Sequence, residues 1–532
     1  MKRRTTRLTY GIAALAATVV ALSACSADAP APSPTSTEVV LPAGVTQNIT
    51  IGGFGLNTLD PGAATGFNGP GEAIVQNVFG LLVDPPATTG GDYGPDLATA
   101  WQFNSDYTQL SLTLRSGVTF TDGTPFDAAA VKFNMDRYTS TSSRVSQYVV
   151  NVASTTVVDP THVQINFKAA APNFLSVLAL TVGGSIQSPT AIQKEGDKYG
   201  LGIVGAGPFM QSAFTPGTQV DLVPNPNFWD AKNTHLQKVT YLNTGTDPSV
   251  NYQQVSSGAI QVYQVNGVTS SPSVLNDAKA NSSINVVKTD DNQYLFLPLN
   301  TTSAPFNNQQ AREALDYCMD RATLSKTVTQ GWGNPAFING GSSTLYYPNG
   351  GPDQYAANFP YPFDATKGTA IVKSLGGLSF DMYNMGGQYT VVANALAQMW
   401  KQNCGIDASV QTDQPAALAT RITSGNYQAV ITISGGLNDP SFFRTFQTNT
   451  PQGKFAGGAD NPDITTLITQ ASETSDTAKL NDLWSQIWTK INTQALTIPV
   501  VSGPIYYMQN SCLQNSQYFG SGATYRFAYL SC

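Results

Sequence analysis

Leu112-Thr113-Leu114-Arg115-Ser116-Gly117-Val118-Thr119-Phe120-Thr121-Asp122-Gly123-Thr124-Pro125-Phe126 is the stretch on which the fold turns. Its first residues extend an alternation, Leu110, Leu112, Leu114, that predicts a half-buried strand. Asp122-Gly123-Thr124-Pro125 reads as a turn, with Gly and Pro supplying backbone angles that other residues avoid. Asp127 follows as an N-cap, and Val131, Met135 and Tyr138 recur behind it at helical spacing. Outward from here the pattern stays mixed. Val163, Ile165 and Phe167 alternate as a second strand, with His162 beside it. Ala311, Leu315 and Cys318 share one face of a helix. Val392, Leu396 and Met399 line another that runs up to Cys404. Leu480, Leu483, Trp484, Ile487, Trp488 and Ile491 form the widest apolar stripe. These stripes read as core rather than binding surface. The expected class is α/β, without internal repeats.

The amino terminus carries a different kind of information. Lys2, Arg3, Arg4 and Arg7 precede an apolar run from Gly11 to Leu22, which is too short to span a bilayer and fits a signal-peptide core. Leu22-Ser23-Ala24-Cys25 then resembles the lipobox of bacterial lipoproteins, in which the cysteine thiol takes a diacylglyceryl group. Residues 1–24 are therefore expected to be a lipoprotein signal peptide and Cys25 the lipidation site. The apolar context after Arg3 and Arg4 does not match twin-arginine export. The stretch 25–44, rich in Pro, Ser, Thr and Ala, cannot bury a core and reads as a flexible tether. The expected location is extracytoplasmic, anchored to the cell membrane through the lipid alone.

Four of the 27 Lys and Arg residues lie before Cys25, leaving 23 against 34 acids and a net charge of −11. That balance argues against nucleic acid or an anionic lipid surface as partner. Charged residues make up only 11% of the chain, so the exterior is expected to be neutral and hydrogen-bonding. A body of about 490 residues is too large for one simple core and predicts two or three lobes. Beside Cys25 stand Cys318, Cys404, Cys512 and Cys532. In an oxidising compartment an even set favours disulfides, and four cysteines allow three pairings. The expectation is Cys318 with Cys404, joining two helix ends, and Cys512 with Cys532, closing a short C-terminal loop.

Further motifs recur in a fixed order along the chain. Leu59-Asp60-Pro61 precedes an apolar helix ending near Phe79-Gly80-Leu81-Leu82, and Pro95-Asp96-Leu97-Ala98-Thr99-Ala100-Trp101 precedes the opening stretch. Val204-Gly205-Ala206-Gly207-Pro208-Phe209, Asn225-Pro226-Asn227-Phe228-Trp229, Asn300, Pro305-Phe306, Ala311-Arg312-Glu313-Ala314-Leu315-Asp316-Tyr317 and Asp320-Arg321 follow it. Cys404-Gly405-Ile406-Asp407, Asp439-Pro440 and Ile498-Pro499-Val500 complete the series. In this order they resemble the extracellular solute-binding proteins of the peptide/nickel family, family 5, which serve ABC importers. The resemblance spans the chain after the tether.

It implies the two-lobed periplasmic-binding-protein fold, with an additional subdomain in lobe I and two crossing strands joining the lobes. Lobe I would hold residues 45–292 plus 500–532, and lobe II residues 293–499. Ligand would sit between the lobes, and hinge closure around it would present the complex to the permease subunits. A monomer without cofactor and without enzymatic activity is implied.

The residues agree on chemistry. His162 and His235 have no metal-spaced neighbours and no nucleophile-elbow context. Gly205-Ala206-Gly207-Pro208 lacks the lysine of a phosphate loop. The solute implied first is an oligopeptide. However, many peptide-binding relatives carry an aspartate shortly before the Asp-Pro pair to hold the peptide ammonium. Here Gly436 or Leu437 stands in that place, and Asp439 reads as a turn residue beside Pro440. An oligosaccharide or other neutral organic solute, or a sensor or chaperone role on the same fold, is the alternative. Expected contacts are aromatic and amide residues on loops: Phe67, Asn68, Trp332, Tyr383, Asn384, Gly435, Gly436 and Asn438.

Overall fold

The computed structural model describes residues 48–53, 55–63, 70–86, 91–141, 143–435, 461–514, 530 and 532. The signal peptide, Cys25, the tether, Phe67, Asn68, Gly436, Asn438 and Asp439-Pro440 lie outside the described residues.

The opening stretch folds as its pattern dictates. Strand Gln109–Leu114 alternates buried and half-buried positions. Asp122 Oδ1 accepts from the Thr124 backbone N–H at 3.0 Å, and Gly123 adopts φ +83°, so the turn uses the residues it needs. Asp127 Oδ1 then accepts from Ala130 N at 2.9 Å and starts helix Ala128–Ser140. His162 is the first residue of strand His162–Phe167 rather than its neighbour. With Ala98–Phe103 and Val152–Asp159 these strands form an antiparallel four-stranded sheet. Its inward leucines and valines join one large core with a seven-stranded sheet.

That larger sheet runs Ile284–Lys288, Ile505–Asn510, Val262–Asn266, Asn48–Gly53, Lys238–Asn243, Gln219–Pro224, Phe209–Thr215. Asn48–Gly53 is parallel to both neighbours, whereas the other pairings are antiparallel. A second body holds an antiparallel sheet, Asn334–Pro335, Thr497–Gly503, Gln293–Pro298, Thr432–Gly435. Beside it lies a parallel three-stranded sheet, Asp407–Thr412, Ser379–Asn384, Ala429–Val430. Separate apolar cores fill this second body. This is an α/β fold of two lobes. The chain passes between the large sheet and the antiparallel sheet at residues 289–292 and again at Pro504.

Helix Gln388–Cys404 buries Val392, Leu396 and Trp400. Met399, the residue expected from spacing, is only half-buried, because the indole one position on fills the core and donates from Nε1 to Leu315 O at 2.9 Å. Helix Thr477–Thr493 buries all six residues of its predicted stripe. Cys318 pairs with Cys404 at a Cα separation of 5.9 Å, and Cys512 with Cys532 at 4.8 Å.

Candidate functional site

In open α/β sheets the carboxyl ends of parallel strands leave loops free to meet a ligand. In the first lobe these ends are Gly53, Asn243 and Asn266, and in the second Asn384, Thr412 and Val430. Several hydrogen bonds connect the lobes nearby. Asn266 Nδ2 donates to Gln293 Oε1 on the first strand after the crossing. Asn266 Oδ1 accepts from Val268 N at 2.9 Å and Thr269 N at 3.2 Å, shaping the loop that carries Thr269. Thr269 in turn hydrogen-bonds Tyr389 in the first turn of helix 388–404, whose phenol burial pushes up to about 12.

The crossing segments are tied to each other and to the second lobe. Thr289 N donates to Ile505 O at 2.9 Å, and Ile505 N donates to Thr289 Oγ1 at 3.2 Å. Asp291 is only 2% exposed. Its Oδ2 accepts from Asn334 Nδ2 at 2.9 Å, Ser342 Oγ at 2.7 Å and Ser502 Oγ at 3.3 Å. A buried carboxylate needs such donors. Gly341 packs its Cα against the Asp291 backbone, where a Cβ would meet the carbonyl.

The expected contact residues have distinct fates. Asn384 is fully buried. Its Nδ2 donates to Gln411 O at 2.9 Å, and its Oδ1 accepts from Gly386 N at 2.8 Å, Thr390 Oγ1 at 2.7 Å and Thr412 Oγ1 at 3.3 Å. It therefore builds the turn at the strand end, with its amide oxygen shared among three donors and one amide N–H given to Gln411 O. Tyr383 is half-buried under Arg421, whose Cζ lies 4.0 Å from the ring centroid. Arg421 Nε also donates to Asp413 Oδ2 at 2.7 Å. Trp332 does not stand alone on its glycine-flanked loop. Its ring meets Tyr506 of the other lobe edge-on at 5.0 Å, and its Nε1 donates to Asn276 Oδ1 at 2.9 Å. Glycines at 331 and 333 bring this indole to the first lobe, next to the crossing segments. Gly435 pairs with Gln293 at the end of its strand.

Sequence patterns missed Asp291, Asn266, Gln293 and Thr269. Buried polar residues at element ends have no periodicity. The only signal was a polar run, Asp290-Asp291-Asn292, just before an apolar strand.

His162 Nδ1 sits 2.9 Å from Asp159 Oδ1 on an exposed hairpin. Among the described residues no three His, Cys, Asp or Glu side chains gather at metal-binding distance.

The family model described as "Bacterial extracellular solute-binding proteins, family 5 Middle" matches residues 92–454. The glutathione-binding protein GsiB of Salmonella paratyphi A is 28% identical over 334 residues, 61% of this chain and 60% of that protein. The match thus covers less than two thirds of that relative's length. In fold, the chain is similar to the Escherichia coli murein tripeptide binding protein MppA, with TM-score 0.76, 20% identity and coverage of 91% of this chain and 98% of the other. It is also similar to NikA from Brucella suis in complex with Fe(III)-EDTA, with TM-score 0.75, 21% identity and coverage of 91% and 99%.

Proposed function

The chain belongs to the bacterial extracellular solute-binding proteins of family 5, and on that premise we propose that it is the substrate-binding lipoprotein of an ABC importer. It captures a solute between its lobes and delivers it to the membrane permease without bond-breaking chemistry. One observation carries this reading. The strand end at Asn266 bonds Gln293 just past the crossing, and the two crossing segments are short and hydrogen-bonded to each other. Such a connection lets two rigid cores rotate about a narrow waist.

The solute proposed first is an oligopeptide. GsiB is named for glutathione and MppA for a murein tripeptide, both peptides, which supports this choice. Phe67, Asn68, Gly435, Gly436 and Asn438 are the proposed contacts, with Trp332, Tyr383 and Asn384 shaping the walls from behind. The absence of an aspartate at Gly436 or Leu437 favours a second reading, a neutral solute such as an oligosaccharide. The expected division is 45–292 plus 500–532 for lobe I and 293–499 for lobe II; because strand Thr497–Gly503 pairs inside the second body, we take lobe I as 45–292 plus 504–532 and lobe II as 293–503.

Native mass spectrometry of freshly purified protein tests the solute. Adducts spaced by amino-acid residues are expected, hexose spacing selects the second reading, and failure to bind members of either class ends both. Anchoring is tested separately. Cys25→Ser is expected to move the protein from the membrane fraction to the soluble fraction and to remove a diacylglyceryl mass. An unchanged distribution overturns the lipid anchor.

A further inference from the structure

Tyr107 and Ser475 are far apart in sequence and belong to different lobes. Tyr107 sits at the tip of the hairpin between strands Ala98–Phe103 and Gln109–Leu114. Ser475 sits between helices Pro462–Ser472 and Thr477–Thr493. The first element packs into the large core of lobe I, and the helices pack into an apolar core of lobe II. Ser475 Oγ donates to Tyr107 Oη at 2.9 Å.

We propose that this pair is a latch that favours, without help from the solute, the arrangement in which the hairpin tip and the helix linker meet, called closed below. The inference rests on the receptor reading above, in which the lobes rotate about the crossing segments.

Both partners are held ready. Tyr107 adopts φ +56°, a conformation seldom taken by residues other than glycine. The hairpin imposes it: Tyr107 N donates to Asn104 O at 3.2 Å, Ala171 N donates to Tyr107 O at 2.9 Å, and Gln109 N donates to Asn104 Oδ1 at 2.9 Å. The ring rests against Phe103, with centroids 5.4 Å apart. On the other side Asp476 caps the next helix by accepting from Ala478 N at 2.9 Å and Lys479 N at 3.0 Å. Ser475 is therefore fixed in a short linker between two packed helices. A hydrogen bond between two preformed tips loses little side-chain entropy when it forms. It breaks on a small rotation, because a hydroxyl pair contributes nothing beyond hydrogen-bond distance.

The test is pulsed electron-spin distance measurement on the full chain in detergent, without added ligand. Nitroxides are attached at Val158→Cys in lobe I and Phe363→Cys in lobe II, which are 57% and 47% exposed. The parent chain without these cysteines is the labelling control. Tyr107→Phe and Ser475→Ala are each expected to lower the closed-to-open ratio about two- to fivefold, the weight of one solvent-exposed neutral hydrogen bond. The double variant is expected to fall no further, and Ser475→Thr, which keeps a hydroxyl, to restore the ratio. Unchanged distributions in both single variants, additive losses in the double, or a wild-type chain without a closed population would each overturn the latch. Native mass spectrometry reads solute binding independently of these populations, so a failed latch and a failed receptor reading are told apart.

Discussion

Arg115 lays its guanidinium 3.6 Å from the ring centroid of Trp229, and both side chains bond Asp96. Trp229 Nε1 donates to Asp96 Oδ1 at 3.3 Å, while Arg115 Nε donates to the Asp96 carbonyl at 3.1 Å. Three motifs that stand apart in sequence thus form one structural knot. Burial raises the Asp96 pKa to about 6, against the lowering pull of the Leu81 N–H, Trp229 and Arg115.

This shift has a pH consequence. The folded state holds the Asp96 proton more tightly than the unfolded chain, so ionising the group costs stability. Its contribution is expected to fall as pH rises from about 3.8 towards about 6, on the order of 2–3 kcal/mol in total. Asp96→Asn is expected to flatten that part of the curve, read as melting temperature against pH. A parallel wild-type and variant profile would refute the assignment.

Asp316 and Arg321 form a second buried pair, joined by a short hydrogen bond with Arg321 Nη2 as donor. Arg321 Nε is also held by Ala336 O at 3.1 Å and Pro499 O at 3.2 Å. Asp316→Ala leaves the guanidinium buried without its counter-charge. It is expected to destabilise the fold by about 3–5 kcal/mol, measured as a drop in the urea midpoint. Asp316→Asn keeps a hydrogen-bond acceptor and should cost less.

Gly368 lies against the Cys318–Cys404 pair. A Cβ there would stand 2.8 Å from Cys404 Sγ and closer still to Cys318 Sγ. Gly368→Ala is expected to displace the bridge, lowering the melting temperature and making the disulfide easier to reduce. Replacing both cysteines by serine is expected to cost about 2–4 kcal/mol, since the bond closes a long loop. Thiol counting under mild reductant and thermal unfolding check both.

Asn384 satisfies four partners at the end of its strand. Asn384→Ala leaves the Gly386 N–H and the Gln411 carbonyl without their partner and is expected to cost about 1–3 kcal/mol. Any loss of solute binding should then be matched by Asn384→Asp only in part, because a carboxylate cannot donate to Gln411 O. Calorimetry on both variants separates this wall-building role from direct contact.

Much of the architecture was legible in the residues alone. The alternation through Leu110, Leu112 and Leu114, the Asp127 cap and the stripe from Leu480 to Ile491 follow from local rules: strand and helix periods, and side chains that satisfy free N–H groups. The order of motifs carried the family. Trp400 escaped because Met399 fits the same helical spacing, and only the volume beneath the helix decides which side chain fills it.

The site was less legible, and the reason is physical. Residue type and loop position point to Phe67, Asn68, Trp332, Tyr383, Asn384, Gly435, Gly436 and Asn438. Type and position do not say where a side chain points once two lobes meet. Asn384 faces inward because the turn needs its amide. Trp332 crosses to Asn276 and Tyr506 because its loop abuts the other lobe. Asp291 lies buried because three donors from three segments converge on it. By itself the sequence determined the period of each element, its caps and turns, and the family. Only the tertiary structure decided which polar groups find partners across the lobes, because those partners come from segments far apart in the chain.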